Sequence, residues 1–295
     1  MSADRILLIE NPARISVDHG RLKIARDGED DAFASPDDIA VLCLHNHTVS
    51  ITTQALKVLA LAGASVLVTD DRHYPCALML PLAGNMAAPQ RLHEQIQLIG
   101  KSQVGELWAQ IVRSRLATQA ANLRHFDLNG ALRLERLAGE VKPGDVSNAE
   151  AQGAKHYWKH FFFGSEFTRE KEGAEDGLNA RLNYGFAVLR ALVARQLAMS
   201  GLNAGLGLGH RRQDNPFNLA DDFTEPFRYL VERHVRGMED MSGELTSTIK
   251  AVLLRFMEQE VAINGQNFRL GSAVAEVVAS YCRILERQEG QLRLP

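Results

Sequence analysis

Leu80-Pro81-Leu82-Ala83-Gly84-Asn85-Met86-Ala87-Ala88-Pro89 decides how this sequence folds, because the spacing of its apolar residues changes character across that stretch. Upstream, short apolar runs at residues 5–10, 15–18, 22–26, 39–44, 65–69 and 74–80 are divided by turn residues, the pattern of strands. Between them, residues 52–62 carry apolar side chains at helical spacing. Downstream, residues 103–123, 148–163, 179–199, 225–235, 244–261 and 272–285 keep a period of 3.6. With Pro81, Gly84 and Pro89 as a linker, the expected fold class is α+β in two domains. A small N-terminal β-rich domain occupies 1–90, and a larger all-α helical domain occupies 91–295 and carries the candidate site. Two irregular joints interrupt the second domain, a Pro/Gly turn at 142–147 and a glycine-rich connection at 201–214.

Length and composition agree with this division, since 295 residues suit two modest cores. Hydrophobic residues at 45% and charged residues at 23% predict a chain folded throughout. The apolar run at 55–68 is broken by Lys57 and Gly63, so no membrane span is expected; no basic segment leads into an apolar stretch at the N-terminus, so neither is an export signal. Cys43, Cys76 and Cys282 lack CxxC spacing and read as buried thiols of a reducing compartment, hence a cytoplasmic location. A net charge of -3 is not the usual footprint of a nucleic-acid-binding protein. The charge is uneven, however: residues 1–100 hold 8 Lys+Arg against 12 Asp+Glu, and the remainder holds 25 against 24. Arginine outnumbers lysine after residue 100, and its planar fork suits bidentate phosphate contacts.

Three segments offer chemistry. Ser147-Asn148-Ala149-Glu150 opens a helix; Ser147 and Glu150 have the S-x-x-E spacing of a capping box, so Glu150 is either a cap or a ligand. Gly205-Leu206-Gly207-Leu208-Gly209-His210-Arg211-Arg212 delivers an imidazole and two guanidiniums, without the GK[ST] that would make it a nucleotide loop. Asn218-Leu219-Ala220-Asp221-Asp222-Phe223-Thr224-Glu225-Pro226-Phe227-Arg228 concentrates three carboxylates, read either as a solvated acidic first turn or as acids balanced by a cation. Two carboxylates and one imidazole, from Glu150, His210 and Glu225, suit Mg²⁺ or Mn²⁺. Spacing alone does not bring the three together. Tyr157 and Trp158 read as core residues.

Taken together, E-A-x-x-A-K-x-Y-W from Glu150, the histidine after a glycine-rich turn, and D-D-x-x-E-P-F-R from Asp221 resemble the CRISPR-associated integrase family. Phe217 to Asp222 is most similar to members accompanying single-effector, RNA-guided nucleases, and Asn183-Tyr184-Gly185 adds a supporting match. The resemblance implies a metal-dependent DNA endonuclease and integrase of spacer acquisition, with catalytic and metal roles for Glu150, His210 and Glu225. Asp222 would be a fourth or outer metal group, and Lys155, Arg211, Arg212 and Arg228 would contact DNA. It also implies a homodimer built largely on the N-terminal domain, with a small partner adaptation protein bridging two dimers. The DNA partners would be duplexes with 3′ ends and CRISPR repeat DNA. The competing readings are a metal-dependent nuclease of branched repair intermediates and a non-enzymatic DNA-binding scaffold.

Overall fold

The computed structural model describes residues 5–70, 75–82, 87–162, 167–171, 174, 177–238 and 245–295. Its first part runs β1 (Arg5–Ile9), β2 (Arg14–Asp18), β3 (Arg21–Ala25), β4 (Ala32–Ala34), β5 (Ile39–Leu44), β6 (Ser50–Ile51), α1 (Thr53–Leu61), β7 (Ser65–Thr69) and β8 (Pro75–Met79). The second runs α2 (Ala88–Ile99), α3 (Gln103–His125), α4 (Ala131–Glu140), α5 (Ala149–Phe161), α6 (Gly177–Met199), α7 (Asn218–Thr224) and α8 (Arg228–Arg236). It closes with α9 (Ser247–Leu253), β9 (Glu260–Ile263), β10 (Gln266–Arg269) and α10 (Leu270–Arg287). The α+β class holds: a β region followed by a mainly helical one.

Two four-stranded sheets make the first region, in the orders β1-β5-β7-β8 and β4-β3-β2-β6. Strands β1, β5 and β7 are parallel, and β8 returns antiparallel along β7. A parallel strand covered on both faces is apolar along its whole length, and β5 reads Ile-Ala-Val-Leu-Cys-Leu. Leu42 joins a small core with Leu22, Ile24, Leu59 and Val66. Val41 and Cys43 join the main core, which continues into α3 and α6. Helix α1 begins where the Thr52 hydroxyl accepts from Ala55 N at 3.2 Å. At the carboxyl ends of the strands a polar contact welds sheet to helices. Tyr184 Oη on α6 lies 3.1 Å from His45 Nε2, and Lys250 Nζ on α9 lies 3.4 Å from Glu10 Oε1.

Several expectations are corrected. The boundary expected near residue 90 falls in the first turn of α2, where Pro89 is tolerated because its missing N–H would have had no helical partner. Gly84 of the expected linker lies outside the described residues, as do Tyr74, Phe163 and Glu244 at the ends of expected elements. The helix expected over 244–261 is α9, then a 3-10 turn at Leu254–Glu258, then strand β9. Val261 and Ile263 alternate inward, and Asn264 (φ 50°) with Gly265 (φ 77°) makes the two-residue turn that pairs β9 with β10. The second region is therefore not all helix. Helices α2 and α4 add to the helical segments that periodicity picked out. The helix expected at 225–235 is preceded by a 3-10 turn at Glu225–Phe227, where Pro226 lacks an N–H. Of the three thiols only Cys43 is buried, while Cys282 is half-buried and Cys76 exposed on the edge strand β8. No helix among the described residues is long and apolar enough to cross a membrane.

Candidate metal centre

Helix α3 supplies the floor of the site and α5, α7 and α8 its walls. Its residues Leu107, Ile111, Leu116 and Leu123 are buried against α4, α5 and α8. At the start of α5 the capping box does not form. Asn148 occupies the cap position with φ 54°, and its side chain makes no cap hydrogen bond. Asp145 caps instead: its two oxygens accept from Ala149 N at 2.8 Å and Glu150 N at 3.0 Å. Glu150 is thereby released from capping, and no hydrogen bond from a described residue reaches its carboxylate.

The glycine-rich connection is organised by two side chains of α7. Asn218 donates to Gly205 O, Arg212 O and Asn215 O, and accepts from Arg212 N. Asp222 is fully buried; it accepts from Leu208 N at 2.5 Å, Gly209 N at 3.1 Å and His210 N at 2.9 Å. It also meets His210 Nδ1 at 2.7 Å, which leaves the other ring nitrogen, Nε2, for a ligand. Asp222 thus spends both oxygens on the loop and the imidazole. The Gly209 amide is spent on Asp222 and the Gly205 amide on Asn203 Oδ1. A Cβ on Gly209 would sit 2.2 Å from the Trp108 ring, and that close approach brings His210 edge-on to the indole at 5.6 Å.

Glu150, His210 and Glu225 converge, each offering a ligand atom within 4.8 Å of the others. The fit to a hard divalent cation rests on the donor set, two carboxylate oxygens and an imidazole nitrogen, and on a half-buried Glu150 carboxylate that takes no hydrogen bond from the described residues. Electrostatics treats the three differently. Burial, and then the nearby Glu225 charge, pushes the Glu150 carboxyl above its usual range. Burial opposes the charge on Glu225 too, but Arg228 and Arg115 outweigh it and hold that carboxyl below its usual range. The hydrogen bond to Asp222 raises His210 to about 9 against the pull of burial, so without a cation the ring is an imidazolium.

Glu225 is gripped on both oxygens. Arg228 Nη1 reaches Oε1 at 3.2 Å and Arg115 Nε reaches Oε2 at 3.3 Å. Arg228 also lies over the Phe186 ring, its guanidinium carbon 3.9 Å from the centroid. Of the other expected phosphate contacts, Lys155 is exposed on α5 and Arg211 is exposed with Nη2 3.3 Å from Leu208 O. Arg212, also exposed, pairs with Asp214 at 2.8 Å. Tyr157 is wholly buried, as expected, and its hydroxyl accepts from Asn122 Nδ2 at 3.0 Å; Trp158 packs partly buried beside Phe162.

A family model described as "CRISPR associated protein Cas1" matches residues 6–240 of this chain. The chain belongs to the Cas1 family. Among its Cas1 relatives, the CRISPR-associated endonuclease Cas1 of Neisseria meningitidis serogroup C (strain 8013) is 38% identical over 304 residues, covering 99% of this chain and 95% of that protein. The same fold occurs in a casposase bound to integration product, at a TM-score of 0.80 and 19% identity over 98% of this chain and 92% of that one. A Cas6-RT-Cas1–Cas2 complex contains a chain that matches all of this one with 36% of its own length, at a TM-score of 0.76 and 16% identity.

Four residues around this Cas1 site carry no motif that reading along the sequence would isolate. Asp145 looks like an ordinary turn acid. Arg115 and Glu232 look like charges on amphipathic helices, yet both are buried. Lys171 is exposed and near enough to Glu225 to favour its charge. The one available signal was that Arg115 falls within the apolar stripe of α3, between Leu107 and Ile111 on one side and Leu116 and Leu123 on the other.

Proposed function

We propose that this Cas1-family endonuclease is the integrase of CRISPR spacer acquisition, joining DNA 3′-hydroxyl ends to a repeat-containing target at Glu150, His210 and Glu225. The convergence of those three ligand atoms within 4.8 Å carries the reading. Glu150, His210 and Glu225 would hold Mg²⁺ or Mn²⁺, with Asp222 as the outer group that orients His210. Such an ion, when bound, supplies charge stabilisation at a phosphate oxygen. In the reaction a 3′-hydroxyl, or water in the cleavage direction, would give up its proton to solvent and bond to phosphorus as a target-strand P–O bond breaks and the departing oxygen takes up a proton from solvent; no protein nucleophile is required.

The chain's own contribution is placement and charge. Lys155, Arg211 and Lys171 are exposed cations that would face the DNA backbone, Arg212 would do so while paired with Asp214, and Arg228 offers its charge beside Glu225. Binding would weaken steeply with salt, as phosphate contacts do. The β region, 1–90, would form most of a homodimer, and the helical region, 91–295, would act on DNA. Two dimers bridged by a small adaptation protein, and the subtype that accompanies single-effector RNA-guided nucleases, complete the reading; the first is supported by the complex of a fold relative with Cas2.

The test is a strand-transfer assay with short duplexes bearing free 3′ ends, a repeat-containing target and Mn²⁺, with and without the adaptation protein. Joined product is expected from the complete mixture and none after chelation. Branched-DNA cleavage by the lone protein, with no joining in the complete mixture, would replace integration by a repair-nuclease activity.

A further inference from the structure

Beneath Glu225 lies an ion pair that the reaction as described does not use. Arg115, on α3, is buried, and its Nη2 and Nη1 reach Glu232 Oε1 and Oε2 at 2.5 and 3.2 Å. Glu232, on α8, has no exposed surface. A buried pair of this kind gains little over apolar side chains of the same volume, because desolvation consumes the Coulomb attraction. Stability alone therefore does not account for it. The geometry gives the pair a further use: with two nitrogens fixed on Glu232, the third donor of the same rigid plane, Nε, lies 3.3 Å from Glu225 Oε2.

We infer that Arg115, locked by Glu232, is a positioning residue that fixes the direction in which the Glu225 carboxylate faces the cation site. Glu225 needs such an anchor because it stands on a 3-10 turn between two short helices. Its other holder, Arg228, is only three residues along the same segment and moves with it. Arg115 comes from α3, the helix on which the site is built, so it ties Glu225 to a separate framework. The tie crosses from α3 to α8 and back to the turn between α7 and α8. This inference rests on the metal reading given above.

The discriminating variant replaces the whole pair, Arg115→Met with Glu232→Met. One positive and one negative charge leave together, so the protein's net charge is unchanged; the loss of the cation 3.3 Å from Glu225 Oε2 would by itself favour a bound cation, so a lower affinity reports orientation. Mn²⁺ binding is read by calorimetry and by the EPR spectrum of the bound ion, and folding by thermal melting. The expected result is a folded protein with a melting temperature close to wild type, an altered EPR spectrum, and Mn²⁺ affinity lower by roughly 10–100-fold, the usual cost of removing an orienting partner. If the methionine pair does not fold, Arg115→Gln with Glu232→Gln keeps polar groups in the cavity and carries the same expectation. Folded double variants that bind Mn²⁺ within about twofold of wild type overturn the positioning role and leave the metal reading standing. A wild-type protein that takes up no Mn²⁺ overturns the metal reading itself, and this inference with it.

Discussion

At the first turn of α5, Glu150 presents a half-buried carboxylate that receives no hydrogen bond from the described residues, whereas on the turn before α8 Glu225 is buried and held by two guanidiniums. Both offer an oxygen to the same small space. Their proton affinities move in opposite directions, up for Glu150 and down for Glu225. A pair of this kind would give a cation one carboxylate fixed beforehand by ion pairs and one whose charge burial disfavours until a cation is near. Glu150 takes part in no ion pair among the described residues, while Glu225 belongs to the ion-pair framework that holds α3 against the α7–α8 turn. The two should therefore respond differently to the same mutation.

The largest effect expected is on activity. Glu150→Ala, His210→Ala and Glu225→Ala should each lower strand transfer by on the order of 10³-fold, since several kcal/mol of charge stabilisation in the transition state depend on the ion they hold. Wild-type rates in any of these variants, measured with Mn²⁺ present, reject that residue as a ligand. The comparison sharpens in thermal unfolding. Glu225→Ala leaves the Arg228 donor without its acceptor and removes the ion-pair partner of Arg115 Nε, and should cost about 1–3 kcal/mol, whereas Glu150→Ala should melt with wild type. Equal melting of the two variants would erase the distinction.

Next in size is a pH effect on binding. The His210 ring sits at about 9 without a cation, and only its neutral form can coordinate. Cation uptake must then expel a proton, so Mn²⁺ affinity should rise with pH below 9, about tenfold per unit, and level off above it. Calorimetry in buffers of different ionisation enthalpy measures that proton directly; no release near pH 7 contradicts the assignment. The same shift has a sign for stability: a group raised in the folded state stabilises at low pH, and that contribution is lost as pH climbs from about 6.5 through about 9.

Smallest are two local changes that test how the ligands are carried. Gly209→Ala would force a methyl against Trp108, costing about 1–3 kcal/mol and displacing His210. Asp145→Ala removes the carboxylate that caps α5 and should cost about 1 kcal/mol in thermal or denaturant unfolding. The Asp145 variant should lose Mn²⁺ affinity as well, because Glu150 rides on that first turn. Stability lost with affinity unchanged would show that the turn holds its shape without the cap.

Much of this could be read along the chain. The change of period near residue 90 separates strands from helices, and the motifs at Glu150, His210 and Glu225 name three candidate ligands that the fold brings together. What escaped has physical causes. The β9–β10 hairpin was hidden because Val261 and Ile263 also continue the helical spacing of the preceding segment, and only Asn264-Gly265 marks the turn. The division near 90 is less sharp in space than in sequence, since Val41 and Cys43 of β5 share a core with α3 and α6. Ser147-x-x-Glu150 has the right letters for a cap, but a left-handed Asn148 shifts the helix start by one residue and gives the role to Asp145.

The sequence by itself determined the class of fold, the family motifs and the chemical type of the ligand set, because periodicity and residue type are local properties that survive without coordinates. Tertiary structure alone decided which carboxylate is bare and which is gripped, and that Asp222 serves the loop and His210. It also decided that Arg115 and Glu232 are buried partners under the site. Those outcomes depend on how segments are placed in space, some more than a hundred positions apart as Arg115 is from Glu225 and Glu232, others as near as Asp222 and His210, and on the loss of water around them. Neither quantity is written in any one segment.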